Sequence, residues 1–407
     1  MNIAAIETYI RDNWDRSIYR DINGSGFKQI DLPYPYSSPC IKGEGKFYFF
    51  FYWDTYFTNL GLLRHGLHEA ARGNIENMFW LITRQGYMPN HVGVDNRSQP
   101  PFLCRMVRDY LAGTGDESFY PEAAEALRWE YFFWMNARCS PTGLNRHGHQ
   151  GDRATCQKFY DGPLVRRLGL PSDVSASEKA RIGGHYLAEA ETGWDFNPRF
   201  EGRCLDFNEV LMNSLLYEYE TFLAQAEIRL EWGLGSVWKE AADRRKARID
   251  EFLWNEERGL FLDYDFVNQR HSPVASISTF APLFVGLASE EQARRVRDNL
   301  PLFEQEWGIT VTEECAGCEQ YQWAYPNMWP PLTYVALKGL QRYGFDADAK
   351  RLAEKYVKVN TRLFDETGQL WEKFNAVNGE VAGGEYEAAA MLGWSAGVLL
   401  EAAAILD

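Results

Sequence analysis

Asp206-Phe-Asn-Glu-Val-Leu-Met-Asn-Ser-Leu-Leu-Tyr-Glu-Tyr-Glu-Thr-Phe-Leu-Ala-Gln-Ala226 sets Leu211, Leu215, Tyr219, Phe222 and Ala226 on one face of a 3.6-residue period. Asp206 and Glu209 read as a capping pair at its start. Pro330-Pro331 should open a second helix through Leu332, Ala336 and Leu340, with Gly344 stopping it, because prolines lose little where N–H groups lack partners anyway. The same period runs through 54–65, 67–84, 102–112, 121–136, 235–254, 290–300, 346–363 and 386–406. This predicts roughly ten to twelve helices of ordinary length and few strands. No linker rich in Pro, Gly or Ser divides the chain, so an all-α single domain over 1–407 is expected. Residues 139–190, rich in Gly, Arg and His up to His185, read as a long loop or lid, and 261–289 as a second irregular stretch.

A formal charge of −15 over 407 residues opposes a nucleic-acid or anionic-membrane partner, since phosphate binding needs a dense Lys/Arg field. It suits an enzyme acting on a neutral small molecule. Trp, Tyr and Phe number 14, 22 and 25; most should fill a helical core, while those in polar loops suit the faces of sugar rings. The seven cysteines, an odd and scattered set, do not form a disulfide framework, and Met1–Arg16 lacks an apolar signal-peptide run. A reduced, cytoplasmic protein is expected, with Cys315 and Cys318 as thiols. No stretch approaches the ~20 apolar residues of a membrane span. Nothing sets the oligomeric state.

Three clusters carry chemistry. In Glu191-Thr-Gly-Trp-Asp-Phe-Asn-Pro-Arg-Phe200, Gly193 and Pro198 prevent a helix and leave Asp195 in a bend between Trp194 and Phe196. A carboxyl wedged among aromatics is desolvated and keeps its proton, as a general acid must; a helix cap or a pair with Arg199 reads the same residue equally well. Trp371-Glu-Lys-Phe374 and Gly383-Gly-Glu-Tyr386 offer Glu372 and Glu385 to activate water or bind hydroxyls. A pair with Lys373 and a first-turn helix acid are the plain alternatives. Asn90, Arg97 and Gln99 lie in the proline-bounded loop Tyr87–Pro101 and suit sugar hydroxyls, with Trp53-Asp54 and Gln322-Trp323 as further aromatic–polar pairs. The seven histidines show no metal-ligand spacing; His147 and His149 read as exposed loop residues.

In chain order these segments resemble the trehalases, glycoside hydrolase family 37. Lys46-Phe-Tyr-Phe-Phe-Phe-Tyr-Trp-Asp-Thr-Tyr-Phe57 is similar to the family's first signature, and Asn90 through Asn96-Arg-Ser-Gln-Pro-Pro101 to its substrate loop. Gly193-Trp-Asp-Phe196 with Arg199 matches the segment of its general acid. Trp371–Phe374, Gly383–Tyr386 and Gly393-Trp-Ser-Ala-Gly397 match that of its general base. The resemblance implies an (α/α)6 toroid and inverting hydrolysis of trehalose or a related α-glucoside. Asp195 would be the acid and Glu372 the base, with carboxyls about 6.5–9.5 Å apart to admit a water. It implies no cofactor and no metal. Phe47, Trp53, Asn90, Arg97, Gln99, Trp323 and Glu385 fall where the family binds sugar, and Lys46, Asp54, Trp194 and Arg199 complete the expected contacts. Three departures stand out: Lys46 replaces a signature Arg, Ala324 follows Gln322-Trp323 in place of Asp, and the Arg-Pro-Glu-Ser-Tyr block before the acid is missing. Family 63 hydrolases of glucosylglycerate or mannosylglycerate are therefore the neighbouring reading. A sugar epimerase or a non-catalytic sugar binder on the same toroid are readings of another class.

Overall fold

The structure, a computed structural model, describes residues 3–19, 32–44 and 46–407; the remainder of the expected 1–407 domain lies outside these. In chain order the helices are α1 (Ile3–Ser17), α2 (Tyr52–Arg64), α3 (His68–Gln85), α4 (Leu103–Thr114) and α5 (Tyr120–Ala137). Next come α6 (Arg153–Phe159), α7 (Val165–Leu168), α8 (Ala176–Glu191), α9 (Val210–Arg229) and α10 (Gly235–Phe252). The last are α11 (Ala281–Val285), α12 (Glu290–Asp298), α13 (Pro330–Arg342), α14 (Asp346–Thr367) and α15 (Gly393–Leu406). Helices α2, α4, α9, α11, α13 and α15 contact one another in that order, and α15 closes on α2. Each is followed in the chain by an outer helix, α3, α5, α10, α12 and α14, and α1 supplies the sixth by packing on α14 and α15. This double ring is the (α/α)6 toroid. No helix among the described residues is long and apolar enough to cross a membrane.

An inner helix is covered on both sides, so it must be apolar nearly all round. Helix α15, Gly393-Trp-Ser-Ala-Gly-Val-Leu-Leu, is buried along this whole stretch. It closes on α2 through glycine: a Cβ on Gly397 would lie 1.8 Å from the Phe57 carbonyl oxygen and 3.3 Å from the Gly61 nitrogen. Neither backbone can give way without parting the helices. Gly397→Ala should therefore cost at least about 1–3 kcal/mol, read as a lower denaturation midpoint at unchanged slope.

Several boundaries depart from the sequence reading for physical reasons. Helix α9 starts at Val210, where the Glu209 carboxylate itself caps the Met212 N–H at 2.6 Å. Asp206 stays in a 3-10 turn because Phe207–Asn208 pairs with Tyr264–Asp265 as a strand and delays the helix. The last helix begins at Gly393, not Tyr386, since Glu372 and Leu370 draw 389–391 into extended pairing. Helix α13 follows the expectation, starting at Pro330 and ending at Arg342 before Gly344.

The expected loop at 139–190 is largely helical. Helix α6 runs through a π-helical turn, Tyr160–Leu164, into α7, and α8 ends at Glu191. Tyr160, Leu164, Tyr186 and Phe196 form a separate small core there. The glycine content that suggested a loop is accommodated, because tertiary packing overrides local propensity. Cys315 and Cys318 are joined as a disulfide, their Cα atoms 5.3 Å apart across the turn, which corrects the reading of two thiols.

Candidate active site

The chemistry-bearing residues sit where the chain enters the inner helices. Trp53 and Asp54 open α2, Gln99 precedes α4, Gln322 and Trp323 precede α13, and Glu372 and Glu385 precede α15. Gln99 accepts the Trp53 N–H at 3.2 Å, capping α2's first turn, while Asn90 accepts the Tyr52 N–H at 3.0 Å and donates to the Arg97 carbonyl at 2.9 Å. The loop 87–101 is thereby bolted to the α2 entry.

Asp195 is held by Arg167, whose Nη1 donates to its Oδ2 and whose Nη2 donates to its carbonyl, both at 2.7 Å. The same guanidinium donates through Nε to Glu385 at 2.6 Å and lies over the Phe196 ring. Gln322 donates from Nε2 to the Asp195 carbonyl at 2.8 Å, and its Oε1 accepts from Lys373 at 2.9 Å. The expected wedging of Asp195 among aromatics is not what the fold builds. Its carboxyl is 29% exposed and ion-paired, because Trp194 and Phe196 point away into the core.

Glu372 lies opposite in character, 2% exposed. It accepts the Tyr386 hydroxyl at 2.8 Å and, weakly, the Ala389 N–H at 3.4 Å. Burial raises its pKa, opposed by the Lys373 charge and the Tyr386 hydrogen bond, with Asp195 adding a smaller push upward. Lys373 turns to Gln322 and the Tyr386 carbonyl, as strand alternation requires. Its burial brings its pKa down to about 8. Burial takes Glu385 up to about 7 against the pull of Arg167. Asp54 goes to about 8, chiefly by burial, with Glu372 and Asp195 adding to it. Asp54, Glu372 and Glu385, each with its pKa raised by burial, thus share one electrostatic neighbourhood with the Asp195 carboxylate.

Beneath these acids lies an aromatic floor. Trp323 stacks on Trp329 with centroids 3.6 Å apart and on Trp194 at 6.1 Å, and Trp53 meets Trp323 at 5.8 Å. Gly193, at φ +77°, sits against Trp53: a Cβ there would come within 2.8 Å of the indole. Only glycine lets the acid loop lie on that floor.

Most of the expected residues converge. Phe47 joins the group through Tyr386, at 6.4 Å between centroids, and Arg97 through electrostatic contact with Asp195. Three do not. Lys46 is exposed and makes no hydrogen bond to these residues. Arg199 is fully buried, paired with Glu209 at 3.2 Å and Asp263 at 3.0 Å, so neither a substrate contact nor a pair with Asp195 is available to it. Trp194 is equally buried, under the Arg199 guanidinium at 3.9 Å. His147, expected in solvent, is also buried. Glu385 is no helix first-turn acid, for α15 starts later. Sequence reasoning missed Arg167; its only signal was Arg166-Arg167 in the Arg-rich interval.

Removing Arg167 leaves Asp195 and Glu385 without the cation that bonds to both. Arg167→Ala should lower kcat/KM on the order of 10², and Arg167→Lys should recover part, since an ammonium cannot make three planar bonds. Steady-state kinetics on both variants check this.

Residues 2–406 match the trehalase family model. The chain belongs to the trehalase family. It is 33% identical over 402 residues to the periplasmic trehalase of Pseudomonas aeruginosa, spanning 91% of this chain and 71% of that one. With the periplasmic trehalase of Xanthomonas oryzae pv. oryzae it shares 32% over 396 residues, 91% of this chain and 68% of that one. Among solved structures, neutral trehalase Nth1 from Saccharomyces cerevisiae superposes with a TM-score of 0.79 at 25% identity, covering 98% of this chain and 80% of that one. A family 63 mannosylglycerate hydrolase from Thermus thermophilus shares the fold, with a TM-score of 0.65 at 17% identity and coverage of 97% and 99%. Membership makes this chain a glycoside hydrolase and displaces the epimerase and sugar-binder readings. The expected cytoplasmic location is overturned: these curated relatives are periplasmic trehalases, pointing to the periplasm.

Proposed function

We propose that this enzyme hydrolyses trehalose with inversion, Asp195 acting as general acid and Glu372 as general base. The observation that carries the reading is the contrast between two acids at one site. One is part-exposed and oriented by Arg167 and Gln322; the other is buried and held by Tyr386. Asp195 protonates the oxygen between the two glucose rings as the bond to C1 breaks. Glu372 takes a proton from the water that attacks C1 from the opposite face. One bond to C1 is replaced by another, and each turnover releases two glucose molecules. Reprotonation of Asp195 is supported by Glu385, at about 7, which shares Arg167 with it. Asn90, Arg97, Gln99 and Asp54 are assigned to glucose hydroxyls, and Phe47, Trp53 and Trp323 to the apolar walls of the same subsite.

The helical insert α6–α8 brings Arg167 to the acid and is assigned to the leaving-group side. It stands where the family's Arg-Pro-Glu-Ser-Tyr block was missed, so a different leaving group is the one specific alternative. Comparing kcat/KM on trehalose, glucosylglycerate, mannosylglycerate and the α-linked glucobioses tests this. Trehalose should be preferred by at least about 10²-fold, the discrimination a site built on substrate hydroxyls achieves. Preference for another α-glycoside would overturn the substrate and leave the two acids in place.

A further inference from the structure

The acid loop is anchored at both flanks by buried charges that the hydrolytic chemistry does not use. Before it, Glu191 accepts two bonds from Arg138, each at 2.7 Å, and the Ser98 and Gly148 N–H groups, each at 2.9 Å. After it, Arg199 pairs with Glu209 and Asp263 and covers Trp194. His147 stands between the two anchors. Its Nδ1 is 3.5 Å from Glu191 and its Nε2 3.6 Å from Glu209, it is 1% exposed, and neither nitrogen has a hydrogen-bond partner. Trp134 of α5 closes the site edge-on to the ring.

Charge balance says what His147 must be. Burial brings Asp263 up to about 6, so above that pH Glu191, Glu209 and Asp263 carry three negative charges against the two guanidinium groups of Arg138 and Arg199. Glu189, the other acid facing Arg199, holds its proton because it is buried. A buried cluster short of one positive charge is costly, and a ring aimed at two carboxylates supplies it only when both nitrogens are protonated. Burial alone would pull the His147 pKa down, but the two carboxylates outweigh it and raise it.

We infer that His147, as an imidazolium, is a positioning residue for the general acid, joining Glu191 to Glu209 and so fixing both flanks of Gly193–Asp195. It touches neither substrate nor the reacting atoms. Losing its proton leaves one nitrogen without a hydrogen and releases one carboxylate, so the acid loop loosens as pH rises. The inference rests on Asp195 being the acid.

The test uses the whole enzyme, two substrates and the variants His147→Gln, His147→Asn and Asp195→Asn. Trehalose needs a proton on its leaving oxygen; α-glucosyl fluoride does not, because fluoride departs unaided. His147→Gln should lose kcat on trehalose on the order of 10² with KM within about threefold, the cost of a misplaced catalytic group. It should keep fluoride turnover within threefold and change the alkaline limb of the trehalose pH profile, leaving only the fall that comes from Asp195 losing its own proton. Equal loss on both substrates, or none, overturns the positioning role. Asp195→Asn serves as the control: unselective loss there would instead overturn the acid assignment, and the role of His147 with it. Should neither His147 variant fold, nitrogen-15 NMR of wild-type histidines decides. The ring whose N–H protons resist exchange must be doubly protonated at pH 7; a neutral ring overturns the inference.

Discussion

Asp195→Asn should lower kcat for trehalose by about 10³-fold, within the range for a positioned general acid, and leave KM little changed. The amide keeps the shape of the carboxylate and can still accept from Arg167, so the loop should stay on its aromatic floor. What is lost is the proton. A sugar whose leaving group needs none, α-glucosyl fluoride, should therefore remain a good substrate for this variant. Parallel loss on the two substrates would mean that Asp195 serves binding or structure. Steady-state kinetics on folded protein, checked by thermal melting, separates these outcomes.

Glu372→Gln should abolish turnover of both substrates by about 10³–10⁴-fold, because each requires a water stripped of its proton. The Tyr386 hydroxyl can still donate to the amide oxygen, so the fold has no reason to fail. The pH dependence carries the same assignment. Burial raises the Glu372 pKa above its ordinary 4.5, and a base works only when ionised. Activity must therefore be lost as pH falls through that raised value, with kcat/KM rising toward neutrality. An acid limb at the ordinary carboxylate pKa would contradict the burial, and a Gln variant retaining the limb would assign it to another acid, Glu385 first.

The all-helical class was legible because helical periods survive in sequence; the toroid itself was implied by the family resemblance, and the contacts of the inner helices bear it out. Pro330-Pro331 marked a helix start correctly, since the restriction proline imposes is local. Boundaries failed where the partner lay far along the chain. Asp206 could not reveal that Phe207–Asn208 would pair with Tyr264–Asp265, nor Tyr386 that the segment after it would lie against Glu372. The motifs pointed to Asp195 and Glu372 as neighbours, and the structure brings them into one electrostatic neighbourhood, but their environments were not legible. Flanking aromatics suggested a desolvated Asp195, yet burial depends on which way Trp194 and Phe196 turn. Arg167, twenty-eight residues upstream, could be brought to the carboxyl only by a π-helical turn inside an insert that read as loop. Arg199 and His147 failed differently: Arg199 beside an active-site motif suggested contact with substrate and His147 in an irregular stretch suggested solvent, whereas both complete buried ion clusters behind the loop.

Inversion at C1 is the central claim, and proton NMR of the first products tests it most directly. Trehalose joins two glucose units through α-bonds at both anomeric carbons. Attack by water on the face opposite the leaving group makes one β-glucose, and the departing sugar leaves as α-glucose. Spectra taken before mutarotation should show the two anomers in equal amounts. α-Glucose alone would mean retention through a glycosyl-enzyme, and Glu372 could no longer be the base that activates water.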